Sequence, residues 1–263
     1  MRFAPSEYLS DVRKSVPLVH HITNYVTVND CANVCICAGG SPVMTDAIED
    51  IDDMLSLASA TVLNIGTLNG RTVDSMLAAA DAAAAYGIPV VLDPVGAGAT
   101  PYRTSVAEAL MELGPSVVKG NAGEIGVLSG LGGDVKGVDS HGAGDAAESA
   151  RSLAGRLGCI VAATGEADYV SDGEVTLRLS NGCPLLGAVS GTGCMLSSVV
   201  GCYAGASGAT VESVASAICA FNVAAELASE RCSGPGTFKP ALLDALHSLD
   251  GSVLDSRARW EEA

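Results

Sequence analysis

The chain has 263 residues, 48% of them apolar, enough for one large or two small domains around a substantial buried core, which excludes a disordered or linker-like protein. Charged residues make up only 17%, yet 30 acidic side chains face 14 basic ones, for a formal net charge of -16. A surface of that sign repels nucleic-acid phosphates and anionic membranes, but leaves room for one local site that takes a small phosphorylated ligand.

The first residues, MRFAPSEYLSDVRKSV, contain no apolar h-region, so no secretory signal is expected and the chain reads as a soluble cytoplasmic protein. Apolar stretches of strand length then alternate with helical patterns, the signature of a mainly parallel sheet covered by helices. The candidate strands are 17–22, 42–45, 61–65, 89–93, 116–119 and 159–163. Overlapping the end of the first is a run dense in hydrogen-bonding side chains, His20 to Thr27, which could line a pocket for a small heterocycle. His21 taken alone reads more simply as a satisfied structural histidine. Cys31, Cys35 and Cys37 share their run with Ala32, Val34, Ile36 and Ala38, and read as buried small hydrophobes rather than a metal site. The acidic residues Asp46, Glu49, Asp50, Asp52 and Asp53 overlap an apolar pattern of Ile48, Ile51 and Leu55, so a solvated helix face is expected, with Asp46 as its cap. Val73, Met76, Leu77, Ala80 and Ala84 define a helix that Gly87 ends.

Gly-rich residues 129–144 offer a candidate boundary, but helical periodicity resumes at once, so one domain over 1–263 is expected. Residues 169–177 read as two short strands around an Asp-Gly turn, an antiparallel edge hairpin. The remainder is helical: Met195, Val199 and Tyr203 share one face, Val214, Ile218, Phe221 and Ala225 another, and 241–249 a third. Gly201, Gly205 and Ser207 break the apolar run from Val199, and no run approaches about 20 continuous apolar residues. Nine cysteines without an export signal read as reduced thiols, and His20, His21, His141 and His247 show no zinc spacing.

Chemistry concentrates at strand ends and at one helix start. Ser190-Gly191-Thr192-Gly193-Cys194 leads into a helix, so its amides and the helix dipole converge on a point that suits an anion, although a plain capping turn has the same composition. The loop lacks the glycine pattern of a dinucleotide fold, and no GxxxxGK[ST] occurs. Cys194 at that helix start is a base or nucleophile with a lowered pKa, or else a buried cysteine. Asp93 and Glu124 follow strands and suit magnesium, directly or through water; the competing readings are a turn residue before Pro94 and a helix N-terminal acid. Lys119 is either a phosphate neutraliser or an ordinary surface lysine. Thr164 offers a hydroxyl at a strand end, or simply a strand-to-hairpin turn.

The segments VHHITNYVTVNDCAN (19–33), SPVMTDAIED (41–50), NIGTLNGRTVDSM (64–76), LDPVGAGATPYRT (92–104), KGNAGEI (119–125), TGEADYVSDG (164–173) and SGTGCM (190–195) occur in this order. Together they closely resemble the hydroxyethylthiazole kinases of thiamine biosynthesis, from about residue 16 to about residue 250. The resemblance implies an α/β, ribokinase-like fold: a mainly parallel central sheet with helices on both faces and an antiparallel edge hairpin. It implies transfer of the ATP γ-phosphate to the primary alcohol of 4-methyl-5-(2-hydroxyethyl)thiazole, with Mg2+ as cofactor, in a homotrimer with active sites between subunits. Met44, Gly191 and Asn24 match thiazole-site positions; Lys119, Thr164, Asn121, Thr192 and Gly193 fall to ATP. Asp93 and Glu124 match the magnesium-associated acids, and Cys194 stands where most ribokinase-like kinases have a catalytic aspartate. Many members have arginine where Lys119 stands and cysteine where His21 stands; lysine keeps the charge but loses the bidentate fork. Two rival functions are a hydroxymethylpyrimidine-type kinase of the same superfamily and a non-catalytic thiazole-binding protein. The latter would need neither the acids Asp93 and Glu124 nor a base at Cys194.

Overall fold

The computed structural model describes residues 3–131 and 146–263. In chain order the elements are Pro5–Ser15 (α1), Leu18–Ile22 (β1), Val28–Ala38 (α2), Ser41–Met44 (β2), a 3-10 turn at Ile48–Asp50 running into Ile51–Leu55 (α3), and Ala60–Asn64 (β3). Gly70–Tyr86 (α4), Val90–Asp93 (β4), Pro101–Glu112 (α5), Val117–Asn121 (β5), Ala122–Ser129 (α6), Ala146–Leu157 (α7) and Ile160–Thr164 (β6) complete the parallel part. Asp168–Ser171 (β7) and Thr176–Leu179 (β8) follow, then a 3-10 turn at Pro184–Ala188, Thr192–Ser207 (α8), Val211–Ser229 (α9), Pro235–His247 (α10), Gly251–Arg257 (α11) and Trp260–Glu262 (β9).

Among the described residues the strands form one sheet in the order β2-β1-β3-β4-β5-β6-β7-β8-β9. Neighbours from β2 to β6 pair in parallel, and β6 to β9 antiparallel. Side chains alternate between two cores, as a sheet covered on both faces requires. Val19, Val62, Val91, Val117 and Ala162 point into the core under α1, α2, α8, α9 and α10. Ile22, Leu63, Leu92, Val118 and Val161 point into the core under α3 to α7. Local signals start and stop the helices. Asn69 and Thr72 form a capping box at α4, whose C-cap Gly87 is left-handed, and Thr210 and Ser213 form another at α9. α9 is long and apolar enough to cross a membrane, but 83% of its apolar window is buried, which makes it a core helix.

The alternating architecture and the hairpin are as the sequence predicts, with strand ends displaced by one or two residues. Three expectations need correction. The antiparallel edge is not a hairpin alone, because β9 adds to β8. The last long helix starts at Pro235 rather than at 241 and carries Pro240 inside it. Asp46 caps no helix: its carboxylate accepts from Arg71 Nη2 (2.7 Å) and its carbonyl from Ser75 Oγ (2.8 Å), while the turns beyond it begin at Ala47 and Asp50. The acidic face itself is as expected, with Glu49, Asp52 and Asp53 in solvent, but of its apolar pattern only Ile51 and Leu55 are buried, Ile48 being exposed in the 3-10 turn. Cys31 and Cys35 are buried in α2. Of the candidate boundary, residues 132–144 lie outside the described residues, as does His141; β5 and β6 on its two sides pair directly.

Candidate active site

The parallel strands bring their carboxyl ends to one edge, where ligands of open α/β sheets bind. Met44, Asn64, Asp93, Asn121 and Thr164 are the last residues of β2 to β6, and Asn24 follows β1 by two residues. α8 lies over these ends because it packs directly on the sheet at Gly201, where a Cβ would come within 2.7 Å of Val62 Cγ2 and 3.0 Å of Val19 Cγ1. Its first-turn amides, at Thr192 to Cys194, have no side-chain cap and open toward the strand ends.

A chain of polar contacts crosses this edge. Asn24 Nδ2 donates to Asn64 Oδ1 (2.9 Å) and to Cys194 Sγ (3.2 Å), while its Oδ1 accepts from the amide and hydroxyl of Thr27. Asn64 Nδ2 donates in turn to Asp93 Oδ2 (2.7 Å), which also accepts from Ser197 Oγ (2.6 Å). Lys119 Nζ lies 3.7 Å from that oxygen and donates to the Gly193 carbonyl (3.0 Å). Gly191 closes the ring: its φ is 89°, and a Cβ there would meet Thr27 Cγ2 at 2.2 Å, so only glycine fits. Residues 170 positions apart, Asn24 and Cys194, are thus joined within one chain.

Burial sets the charge states. Lys119 is only 3% exposed, so it is not a surface lysine. Burial alone would lower its pKa, but Asp93, then Cys194, Glu124 and Asp168, hold it above the ordinary lysine value. Glu124 is pushed up by burial and by Asp93. Its Oε1 accepts from Gly96 N (2.7 Å) and its Oε2 from Asn121 N (2.8 Å), so it is the acid of a capping box on α6 as well as a neighbour of Asp93. The expected lowering of the Cys194 thiol is reversed. Burial and then Asp93 raise it above the ordinary thiol value, against the opposing pull of Lys119 and Asn64. His20 and His21 are depressed to about 4 by burial; Nε2 of His20 donates to Thr45 O, and Nδ1 of His21 to Val19 O.

Two hollows flank the polar chain. The smaller, about 300 Å³, is lined by Met44 together with His21, Thr23, Tyr25, Val28 and Asn64, so the polar N-terminal run does face a pocket. The larger, about 810 Å³, takes Asn121, Thr164, Thr192 and Gly193 in its wall, with Leu186, Leu196 and Phe221 beside them. Lys119, Asp93, Glu124, Cys194, Asn24 and Gly191 belong to the wall of neither hollow. The links Asn64–Asp93–Lys119–Gly193, with Asn24 and Cys194 bonded beside them, join the two walls as a partition, which Glu124 flanks through Asn121. Two carboxylates with a single lysine beside them leave the partition short of positive charge. That suits a hydrated Mg2+, which is held by one or two carboxylates plus substrate phosphates.

The structure adds four residues to which the sequence attached no role: Asn64, Ser197, Asp168 and Asn222. Asn64 and Asp168 lie in the quoted motifs NIGTLNG and TGEAD, at strand termini, and Ser197 stands one helical turn after Gly193. Asn222 has no local signal, being a polar residue in the middle of an apolar helix. Asp168 is buried, accepts from Gly165 N (3.0 Å) and from Asn222 Nδ2 (2.7 Å), and is pushed up to about 6 by burial against the opposing pull of those bonds and of Lys119.

A profile of the Hydroxyethylthiazole kinase family matches residues 9–252. A hydroxyethylthiazole kinase of Methanocella arvoryzae is 54% identical over 246 residues, which are 93% of this chain and 92% of that protein. The solved structure of a hydroxyethylthiazole kinase from Pyrococcus horikoshii superposes with a TM-score of 0.92 at 40% identity, covering 98% of both chains. A ribokinase-like superfamily protein from Enterococcus faecalis superposes with a TM-score of 0.64 at 13% identity, covering 91% of this chain and 88% of its own, a likeness of fold alone. With the site motifs in order along a matched span of nearly the whole chain, this protein belongs to the hydroxyethylthiazole kinase family and has the ribokinase-like α/β fold.

Proposed function

We propose that this kinase transfers the γ-phosphoryl group of ATP to the primary alcohol of 4-methyl-5-(2-hydroxyethyl)thiazole, the alcohol in the smaller hollow and the nucleotide in the larger. The observation that carries the reading is the shared partition: Asn64 lines the small hollow, Gly193 and Thr192 line the large one, and Cys194 is held between them by Asn24. Phosphoryl transfer leaves the protein little covalent work, so positioning and charge neutralisation supply most of the catalysis. The amides of Thr192 to Cys194 face charge developing on the transferred group, and Lys119 offsets the triphosphate from below the loop. Mg2+, held by Asp93 and Glu124 through oxygens' remaining lone pairs, would neutralise phosphate charge. Cys194 as thiolate takes the alcohol proton, with Asn24 fixing the direction of its sulfur.

Homotrimeric assembly and a cytoplasmic location belong to the same reading, as does a single kinase domain over 1–263. The smaller hollow supports a neighbouring subunit, because its rim carries the exposed side chains of Tyr25 and Val28. The experiment that tests the reading is ADP release with the thiazole alcohol against hydroxymethylpyrimidine, with and without Mg2+. Thiazole-dependent, Mg2+-dependent release is expected. Equal or faster turnover of the pyrimidine alcohol assigns the chain to that substrate, and binding without turnover makes it a thiazole-binding protein.

A further inference from the structure

The larger hollow is framed by a buried pair that the reaction chemistry above does not use. Asp168, the first residue of β7, accepts on both carboxylate oxygens: Oδ1 from the Gly165 amide (3.0 Å) and Oδ2 from Asn222 Nδ2 (2.7 Å). Asn222, in the middle of α9, donates a second time from the same Nδ2, to the Asn181 carbonyl (3.0 Å). A carboxylate and a carbonyl can only accept, so the orientation of the Asn222 amide is fixed and both of its N–H groups are engaged. Thr164, Gly165, Asn181, Asp168 and Asn222 all line the 810 Å³ hollow. One buried pair therefore ties three segments of its wall: the turn after β6, the segment after β8, and α9.

Stability alone is a poor account of this arrangement. A carboxylate buried beside apolar α9 carries a desolvation cost that an apolar pair of equal volume would avoid. One oxygen, however, holds the Gly165 amide beyond β6 directly, and the other fixes Asn222, which in turn holds the Asn181 carbonyl beyond β8. The Asn181 side chain is already tied to Glu226 and to the Arg257 and Arg259 backbone. Thr164 is anchored from the other side by its hydroxyl on the Gly120 carbonyl (3.2 Å). The turn that presents Thr164 is thus fixed at both ends, by β5 and by Asp168.

We propose that Asp168 and Asn222 are positioning residues for the nucleotide, clamping the Thr164–Gly165 turn and the Asn181 segment to one another in the wall of the hollow so that ATP meets a preformed surface. The assignment rests on the reading of the larger hollow as the nucleotide site. It separates the two substrates, because neither residue lines the smaller hollow and neither contacts Cys194 or Asn24.

The test uses four variants of the full chain: Asp168→Asn, Asn222→Asp, the double exchange, and Asn222→Ala, which trims the pair without altering its charge. Titration calorimetry with Mg·ADP and steady-state kinetics with each substrate varied are read beside thermal melts. Each single variant is expected to raise KM for ATP and Kd for Mg·ADP by about tenfold or more, the consequence of unpairing a buried charge-assisted bond. KM for the alcohol should move less than twofold. In the double exchange the amide at 168 can accept from Gly165 and donate to the carboxylate at 222, so nucleotide affinity should recover in part, short of full recovery because the Asn181 carbonyl has lost its donor. Folded variants with unchanged Mg·ADP affinity overturn the assignment, as do equal rises in both KM values or a double exchange worse than either single. An unaltered protein that binds no Mg·ADP overturns the reading of the hollow itself, and the two failures are thereby distinguished.

Discussion

Cys194 shows why residue type and position alone do not fix chemistry. A thiol at a helix start invites a lowered pKa, but the fold also sinks it beside Asp93, and burial with that charge raises it instead. At neutral pH the resting site therefore holds mainly the thiol, and the basic form grows tenfold for each unit of rising pH. If the thiolate takes the alcohol proton, kcat rises with pH through neutrality and levels only in the alkaline range. Cys194→Asp, whose base is already ionised at neutral pH, should flatten the profile and keep far more activity than Cys194→Ala, which should lose about 10²–10⁴-fold in kcat. Rate profiles of the three proteins across pH 6 to 9 decide this. A folded alanine variant with near-native kcat would leave catalysis to Lys119, the acids and the loop amides.

Lys119 is a residue whose proposed role comes from its place at a strand end and whose buried setting only the structure shows. A cation at a strand end beside Asn121 and Glu124 suggests a phosphate neutraliser, and nothing local distinguishes a surface lysine from one buried 3.7 Å from Asp93. Its neutral near-isostere Lys119→Met strands that carboxylate, which Asn64 and Ser197 still bond, so a loss of about 3 kcal/mol in denaturant stability is expected, with weaker nucleotide binding. Lys119→Arg keeps the charge and should hold ATP far better than the methionine variant. Equal nucleotide affinity in both would remove the charge from the argument. Asp168 and Asn222 mark the limit of legibility at this scale: their pairing spans 54 residues and two elements, and no spacing in the sequence encodes it.

At the scale of elements the sequence was most informative where both sheet faces are covered. Apolar runs such as 159–163 must lie in a buried parallel strand, and their polar ends mark the carboxyl edge, so Asp93, Lys119 and Thr164 could be placed together before any coordinates. α1 and β9 escaped because they bring little apolar pattern: α1 buries only Pro5, Leu9 and Val12, and β9 is three residues ending in exposed glutamates that hold by backbone pairing. Pro240 hid the first turns of α10, since a proline commonly signals a helix boundary. No spacing or composition signals the meeting of α8 with the segment before α2; only the resemblance groups Asn24 with Gly191, and in the structure the contact rests on Gly191. Gly191→Ala adds a methyl 2.2 Å from Thr27 Cγ2 at a φ of 89°, so the loop must move and turnover should fall more than stability. Adding Thr27→Ser removes the methyl in the way but not the backbone strain, which costs about 1–3 kcal/mol, so only part of the activity should return. Full recovery in the double variant would show that the clash alone matters; none would show that the φ value does.

For the whole molecule, a net charge of -16 disfavours polyanions away from a local cationic site, and the proposed function gives ATP the buried lysine and helix amides. The smaller hollow has both the exposed Arg71–Asp46 pair and apolar side chains in its wall. Tyr25 is 79% and Val26 60% exposed, next to Val28 and beside the smaller hollow, which the proposed function gives to the thiazole alcohol. Apolar side chains clustered in this way at a binding rim suit burial against another subunit. In the proposed function a second copy would then complete the alcohol site, while the larger hollow proposed for the nucleotide, lined from α8, α9 and β5 to β7, would stay within one chain. The two sites should therefore respond differently to dissociation. Sedimentation equilibrium should give three times the chain mass of 26.3 kDa, and Val26→Asp, which puts a desolvated charge into the contact, should shift the protein toward monomer. In that variant KM for the thiazole alcohol should rise steeply while Mg·ADP affinity is retained. A native protein that sediments as a fully active monomer would place the whole alcohol site in one chain, and a dissociated variant with unchanged alcohol KM would show that the assembly, if formed, does not complete the pocket.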